Sequence, residues 1–419
     1  MTENTSDKPE LNDARQNPWY VLMTVAGEQP WFATWTDFDR ELHAKNRRYF
    51  NGWMALHLQD SDKLRLVSNG WVNDNDFKKG GISAPLTQDE LADIEAAWKH
   101  RCPKAPPPVT GSPRAEITKS ELSRPLICED LLFSGGADFT STKFLSVASF
   151  RRAYFLGEVL FWNAVISEIA DFHGASSDGF TVFDGVRMVD LATFTDATFS
   201  EEALFSNSKF DKSTRFHRTK FESEPPKLFG ASLHEDTDFT DTIWPPIGNT
   251  REEAVQHRRA YERLKLLMDQ QKKIADEHMF HRLEMRCKEV EVTEQFGSRW
   301  LRPIGWLISL PSRAFRWTSN YGWSMGRPAL WLAGLWAAGW GALNYFEQEA
   351  GNPKITEWNA AALSLSNVFG FLGFWRRFLS DDVGTLTTAS EIISASQTFL
   401  GIVFLFLLGL GTRNQFRLK

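Results

Sequence analysis

Eight phenylalanines, Phe139, Phe150, Phe161, Phe172, Phe183, Phe194, Phe205 and Phe216, follow one another at intervals of eleven residues without a slip. A half-step later come Phe144, Phe155, Ile166, Ser177, Met188, Phe199, Phe210 and Phe221, so the chain alternates steps of five and six. Two positions before each of these sites stands a small or β-branched residue, from Ala137, Thr142 and Ala148 through to Thr214 and Thr219. A repeat this regular constrains the fold more than any local propensity does. An eleven-residue period also suits a right-handed coiled coil. On an α-helix, however, a mean step of about 5.5 residues turns through roughly 550°, which sends alternate rings to opposite faces and leaves no single buried stripe. The Ser, Thr, Asp and Gly residues between the rings also serve helix interiors poorly. A coil of short strands fits instead. Within a strand the residue at minus two and the ring point the same way, so both enter the coil and the small residue makes room for the large one. Successive coils then stack their rings at about 4.8 Å. With four faces to a coil, the sites amount to about four coils and a rod of roughly 20 Å. Leu126, Cys128, Leu131 and Phe133 extend the register backward; Glu224-Pro225-Pro226 interrupts it, and Ala231/Leu233, Thr237/Phe239 and Thr242/Trp244 resume it with a shift.

The small-x-Phe units, such as Ala137-Asp138-Phe139, Ala148-Ser149-Phe150 and Ala197-Thr198-Phe199, resemble those of pentapeptide-repeat proteins with a central phenylalanine and a five/six alternation. The resemblance covers residues 126–247 and implies a right-handed quadrilateral β-helix. It implies little about activity, because that family is functionally diverse. The phenylalanines among the sites above, thirteen in all, are the expected core ladder.

Around this block the chain reads as a multidomain α+β protein. Residues 1–16 are polar and charged, a disordered tail without the apolar core of a signal peptide. Residues 17–101 form a small α+β domain, with strands over 19–25 and 64–67, a helical stretch over 36–53, and a helix announced by the capping box Thr87-Gln88-Asp89-Glu90. Residues 102–125, rich in proline at Pro103, Pro106, Pro107, Pro108 and Pro113, form a stiff linker. Past Pro245-Pro246, residues 249–298 form a helical pair suited to covering the open end of the β-helix. The three cysteines, Cys102, Cys128 and Cys287, are far apart and signal neither a zinc site nor a disulfide framework.

The C-terminal third has a different chemistry. Nine of the seventeen tryptophans fall between residues 300 and 375, and indoles concentrate at membrane interfaces. Residues 328–346 and 392–412 carry no charge and approach the roughly twenty residues needed to cross a hydrocarbon core of about 30 Å. They are the two expected transmembrane helices. Residues 299–327 are an interfacial basic segment, 347–391 an extracytoplasmic loop, and 413–419 a basic tail. Within the loop, 359–375 is a re-entrant or interfacial helix, with Phe369, Gly370 and Gly373 as its candidate residues. Arg299, Arg302, Arg313, Arg316 and Arg327 before the first span and Arg413, Arg417 and Lys419 after the second place both termini in the cytoplasm. The order of β-helix, helical linker, span, short amphipathic segment and span resembles pentapeptide repeats fused to a two-helix, potassium-channel-like module. The closing residues from Gly409 to Arg417 resemble the ends of bacterial pentapeptide-repeat membrane proteins, and that resemblance implies the bacterial inner membrane. At the place of a potassium filter, however, stands Asn367-Val368-Phe369-Gly370-Phe371-Leu372-Gly373-Phe374, which lacks the T-x-G-Y-G run whose carbonyls replace the ion's water.

No phosphate loop, nucleophile elbow or paired-carboxylate signature is visible, so neither enzymatic activity nor a cofactor is expected. His278 and His281 with Glu277 and Glu284 share a helix face, but their order is not that of a zinc motif and they read as a solvated face, with no metal. A net charge of −6 argues against nucleic acid as a partner. The expected partners are the lipid bilayer, a cytoplasmic protein and further copies of the chain. Three functions compete: a membrane-anchored cytoplasmic interaction scaffold, an oligomeric channel-like pore without potassium selectivity, and an acidic DNA-mimic acting on a topoisomerase. The last draws on 19 acidic against 10 basic side chains over residues 126–247.

Overall fold

The computed structural model of the protein describes residues 11–31, 38–56, 58–68, 70, 84–105, 114–295, 302–351, 356–370 and 386–416. The chain divides into two compact units, one of residues 1–247 with 259–271, the other of 248–258 with 272–419.

The first unit is built on a parallel β-solenoid of about five turns with a repeat of 22 residues. Each turn contributes a two- or three-residue strand to each of four sheets in succession. Leu126–Ile127, Leu132–Phe133, Ala137–Asp138 and Lys143–Phe144 are one such circuit. Strands this short cannot stand alone; each is held by backbone bonds to the turns before and after it. Inside, Phe139, Phe161, Phe183 and Phe205 stack at 4.9–5.1 Å, and Phe150, Phe172, Phe194, Phe216 and Phe239 at 4.9–5.1 Å. The two columns meet edge to face, as Phe161 and Phe172 do at 5.5 Å and 85°. Ala137, Ala148, Ala170, Ala192 and Ala203 are fully buried beside them.

The five/six alternation has a backbone cause. Two residues past each inward-facing residue of these columns the chain turns through the left-handed region. Lys119, Asp130, Ser141, Arg152, Asn163, Asp196, Asn207, Arg218 and Asp241 have φ of 49–57°, and Gly174, Gly185 and Gly230 fill the same slot. That tight corner needs five residues from ring to ring, whereas the opposite corner takes six and, apart from Gly136 at φ 84°, keeps φ negative. Past Glu224-Pro225-Pro226 the pairing offset becomes 23, as in Leu204 with Lys227 and Lys220 with Ile243, so the interruption amounts to one inserted residue.

The solenoid starts earlier than residue 126. Ala115–Glu116 and Ser120–Leu122 are strands, so the second half of the stretch expected as a linker is solenoid; residues 106–113 lie outside the described residues. Residues 12–16, expected as part of a disordered tail, form the strand Asn12–Asp13 and a 3-10 turn, Ala14–Gln16; residues 1–10 lie outside the described residues. The expected strand at 19–25 is instead helix α1, Pro18–Met23, because the Asn17 side chain accepts from the amides of Trp19 and Tyr20 and Pro18 occupies the first turn. Its Trp-Tyr-Val-Leu-Met run is buried all round, which hides any helical period. Helices α2, Arg40–Ala55, α3, Asp60–Ser68, and α4, Gln88–Arg101, follow. The strand expected at 64–67 therefore lies inside α3, and α4 opens on the capping box of Thr87 and Glu90. Among the described residues the N-terminal region is thus helical, its one strand belonging to a solenoid sheet.

Helix α5, Arg251–Gln270, spans both units. The second unit continues with α6, Ile274–Gln295, α7, Arg302–Ser319, α8, Gly326–Glu349, α9, Glu357–Val368, and α10, Thr388–Phe416. The expected interfacial segment is therefore largely helix, and the expected second span and tail are one helix as far as residue 416. Only α10 is long and apolar enough to cross a membrane among the described residues, with a mean hydropathy of 2.0 over its most apolar stretch. α8, expected as a first span, does not reach that standard, because its tryptophans, glycines and Asn344 add little hydropathy.

Candidate functional site

The first unit presents a long flank whose ends are both closed. A solenoid's terminal strands expose unpaired backbone groups, and an open edge invites pairing with other chains. At the N-terminal end each of the four sheets meets a different stopper. Asn12–Asp13 adds a parallel strand to Ser120–Glu121, and the Asn17 amide donates to the Glu116 carbonyl at 2.9 Å. His43 Nε2 meets the Glu129 carbonyl at 3.0 Å. Asn51, almost fully buried on α2, donates to the Asp130 carbonyl at 3.0 Å and accepts from the Leu132 amide at 2.8 Å, standing in for a missing strand residue. At the other end α5 covers the last turn. Arg263 donates to the carbonyls of Leu228 and Ala231, Gln271 to those of Leu233 and His234, and Tyr261 packs edge-on against Trp244.

Along the flank, charges of opposite sign pair between neighbouring turns. Arg152 forks onto Asp130 at 2.7 and 3.0 Å, Arg218 forks onto Asp196 at 2.6 Å through both nitrogens, and Arg187 meets Asp211 at 2.8 Å. The bond from Arg218 holds the Asp196 carboxyl below the usual carboxylate range. Asp178 is the contrary case. Burial raises its pKa even though Arg65 of α3 reaches it at 3.0 Å and the Tyr154 hydroxyl donates to it at 3.0 Å. The phenylalanines of the expected ladder are all buried, so they shape this flank without being part of it.

In the second unit α8, α9 and α10 share a polar seam. Gln397 of α10 donates through Nε2 to the Leu335 carbonyl at 2.9 Å and to Ser364 Oγ at 2.8 Å. Ser364 in turn donates to the Trp336 carbonyl at 2.7 Å, and Asn367 donates to Gln397 Oε1 at 3.2 Å. Gln397 fits because Gly339 has no side chain; a Cβ there would occupy the position of the Gln397 amide. α9 lies alongside only part of its neighbours. Its beginning packs with Leu343, Leu386 and Ile393, while its last residue, Val368, packs with Leu332, Phe404 and Leu407. Phe369 joins that second cluster and Gly370 is exposed; Gly373 lies outside the described residues. The outer surface of α10 is apolar and open, with Ile392, Phe399, Ile402 and Phe406 exposed.

His278 packs its ring against Trp323 at 5.0 Å, and His281 lies 3.7 Å from Glu284. Among the described residues no three His, Cys, Asp or Glu side chains converge. Cys102, Cys128 and Cys287 are buried and free, and burial pushes the Cys287 thiol up to about 12. Sequence reasoning missed the capping roles of Asn17, His43 and Asn51 and the seam at Gln397, since one polar residue in an otherwise unremarkable helix carries no pattern. No family model, curated protein or solved structure matches the chain.

Proposed function

We propose that the chain is a non-enzymatic, membrane-anchored interaction scaffold, its solenoid offering a rigid flank to a cytoplasmic protein. The observation that carries this reading is the surface of α10. Only 22% of its most apolar window is buried within the protein, although its mean hydropathy is 2.0. A soluble core helix would bury that face, whereas a bilayer covers it without further protein. The two capped ends of the solenoid support the same reading, because they leave the charged flank, not an open edge, as the surface for a partner. In its finer form the proposal has a right-handed quadrilateral solenoid of the pentapeptide-repeat type, α8 and α10 both crossing the bacterial inner membrane, and both termini in the cytoplasm. Alkaline carbonate washing of membranes should leave the full chain in the pellet and release a chain truncated before residue 326, which lacks both α8 and α10. Affinity capture of the full chain in detergent should then recover a partner that the double variant Arg152→Glu/Arg218→Glu loses. Release of the full chain by carbonate would remove the anchor.

A second reading is favoured by α9. Its twelve residues span about 18 Å, a little over half of a hydrocarbon core of roughly 30 Å, and the chain is back at the level of the helix's start by Leu386. A half-crossing helix beside two long ones suits an oligomeric pore, one without potassium selectivity since the filter motif is missing. Protein that stays monomeric in detergent and passes no ions in liposomes would end this reading.

A further inference from the structure

Two arginines of the second unit face carboxylates: Arg258 meets Glu291 at 2.8 Å and Arg316 meets Glu289 at 3.1 Å. Arg282 on α6 is different. It is partly buried, no carboxylate pairs with it among the described residues, and its Nε is shut off from solvent without a hydrogen-bond partner. Its guanidinium carbon lies 5.7 Å over the ring of Trp323. The charge that bears on it is a like one, from Arg327 in the first turn of α8. Arg327 is exposed, and its Nη1 donates to the Arg316 carbonyl at 2.9 Å. The far end of α10 reaches the same turn, where Gln415 donates to the Trp323 carbonyl at 3.0 Å and Asn414 to the Gly322 carbonyl at 2.9 Å; Arg413 is exposed beside them.

A cation withdrawn from water next to a second cation is unfavourable unless an anion joins them. The indole face offsets part of that cost but supplies no hydrogen-bond acceptor. A guanidinium over an aromatic ring, with a second guanidinium near enough to oppose its charge, suits a tetrahedral oxyanion, because each planar fork can donate two parallel bonds to phosphate oxygens. We propose that Arg282, Trp323 and Arg327 form a binding site for a phosphate group, supplied by the headgroup of an anionic lipid. The lipid as source rests on the membrane reading above, since the site lies at the shared end of α8 and α10. The phosphate chemistry does not depend on it.

The test uses full-length protein in neutral detergent, with thermal unfolding followed as phosphatidylglycerol, phosphatidylcholine or inorganic phosphate is added at constant ionic strength. Phosphatidylglycerol is expected to raise the melting temperature and phosphatidylcholine to leave it unchanged. Arg282→Gln should weaken the phosphatidylglycerol response about tenfold to a hundredfold, the effect of losing charge-assisted hydrogen bonds. It should keep the unliganded melting temperature, because the lost contact with the Trp323 ring is offset by relief of the like charge of Arg327. Arg327→Gln should weaken the response as well, and Arg187→Gln on the solenoid should not. If inorganic phosphate gives the same Arg282-dependent shift, the site stands and its source is the soluble ion. Equal responses from the wild type and Arg282→Gln, or no response to either phosphate source, would overturn the proposal. Carbonate extraction, run in parallel, reports on the membrane reading separately, so the two can fail independently.

Discussion

Ser177 shows how much of this protein's stability is decided at single positions. Phe133 and Phe155 stack at 4.6 Å, and Phe199, Phe221 and Trp244 continue the same column, but Ser177 occupies the level between Phe155 and Phe199. Its hydroxyl accepts from Thr181 at 2.9 Å and donates to the Gly179 carbonyl at 3.0 Å, and a small void bordered by Phe155, Phe172 and Phe199 remains beside it. Ser177→Phe is expected to fill the gap and raise stability by about 1–2 kcal/mol, the gain of a buried ring less the lost hydrogen bonds. Thermal unfolding of the variant checks this; a lower melting temperature would mean that the flanking rings have already closed the space. His43 makes a second prediction. Burial, with Arg47 adding to it, brings its pKa down from the ordinary 6.5 to about 4. Between those values the unfolded chain holds the extra proton and the folded chain does not. The stability His43 contributes is therefore complete above pH 6.5 and is lost as pH falls towards 4, about 3 kcal/mol in all. Replacing it by Gln, which can still donate to the Glu129 carbonyl, should flatten the pH dependence of the melting temperature over that range.

At the scale of elements, the protein works by closing what repetition leaves open. Asn51→Ala would orphan a buried amide and a buried carbonyl at the first strand of one sheet, at an expected cost of about 2–4 kcal/mol. Hydrogen exchange should then accelerate at Leu132 before it does at the central turns. In the helical unit Gly339→Val would displace Gln397 from its bonds to Leu335 and Ser364 and push α8 away from α10. A loss of about 1–3 kcal/mol is expected from the overpacking, read as a lower melting temperature in detergent, with the solenoid's own transition unmoved.

For the molecule as a whole, the contrast between units is one of where apolar surface goes. The solenoid buries its rings in itself, whereas α10 leaves Phe399, Ile402 and Phe406 open. If a bilayer covers that face, polar substitution there should release the chain from membranes without unfolding it. Phe399→Lys/Ile402→Lys/Phe406→Lys is expected to lower carbonate-resistant pelleting severalfold, since a charge at mid-bilayer costs about 2.5–3.5 kcal/mol. Circular dichroism would show the solenoid and helices retained.

The sequence by itself determined the solenoid's interior, because a period of eleven in large rings has one economical geometry: every ring repeats the environment of the one two steps before it. It also marked α4 through its capping box and α10 through unbroken apolarity. It misassigned α1 and α3. A short run buried on every side carries no period, and the Asn17 cap that turns Trp19 into a helix is one residue among many. The strands at Ala115 and Ser120 were hidden because their inward positions hold Ile117 and Leu122 in place of the diagnostic rings. Which asparagine or histidine would close each sheet edge, and which arginine would be left facing only another cation, depended on positions far apart in the chain coming together. Only the tertiary structure could decide those pairings, because hydrogen bonds and charges act through space, while periodicity records only what repeats along the chain.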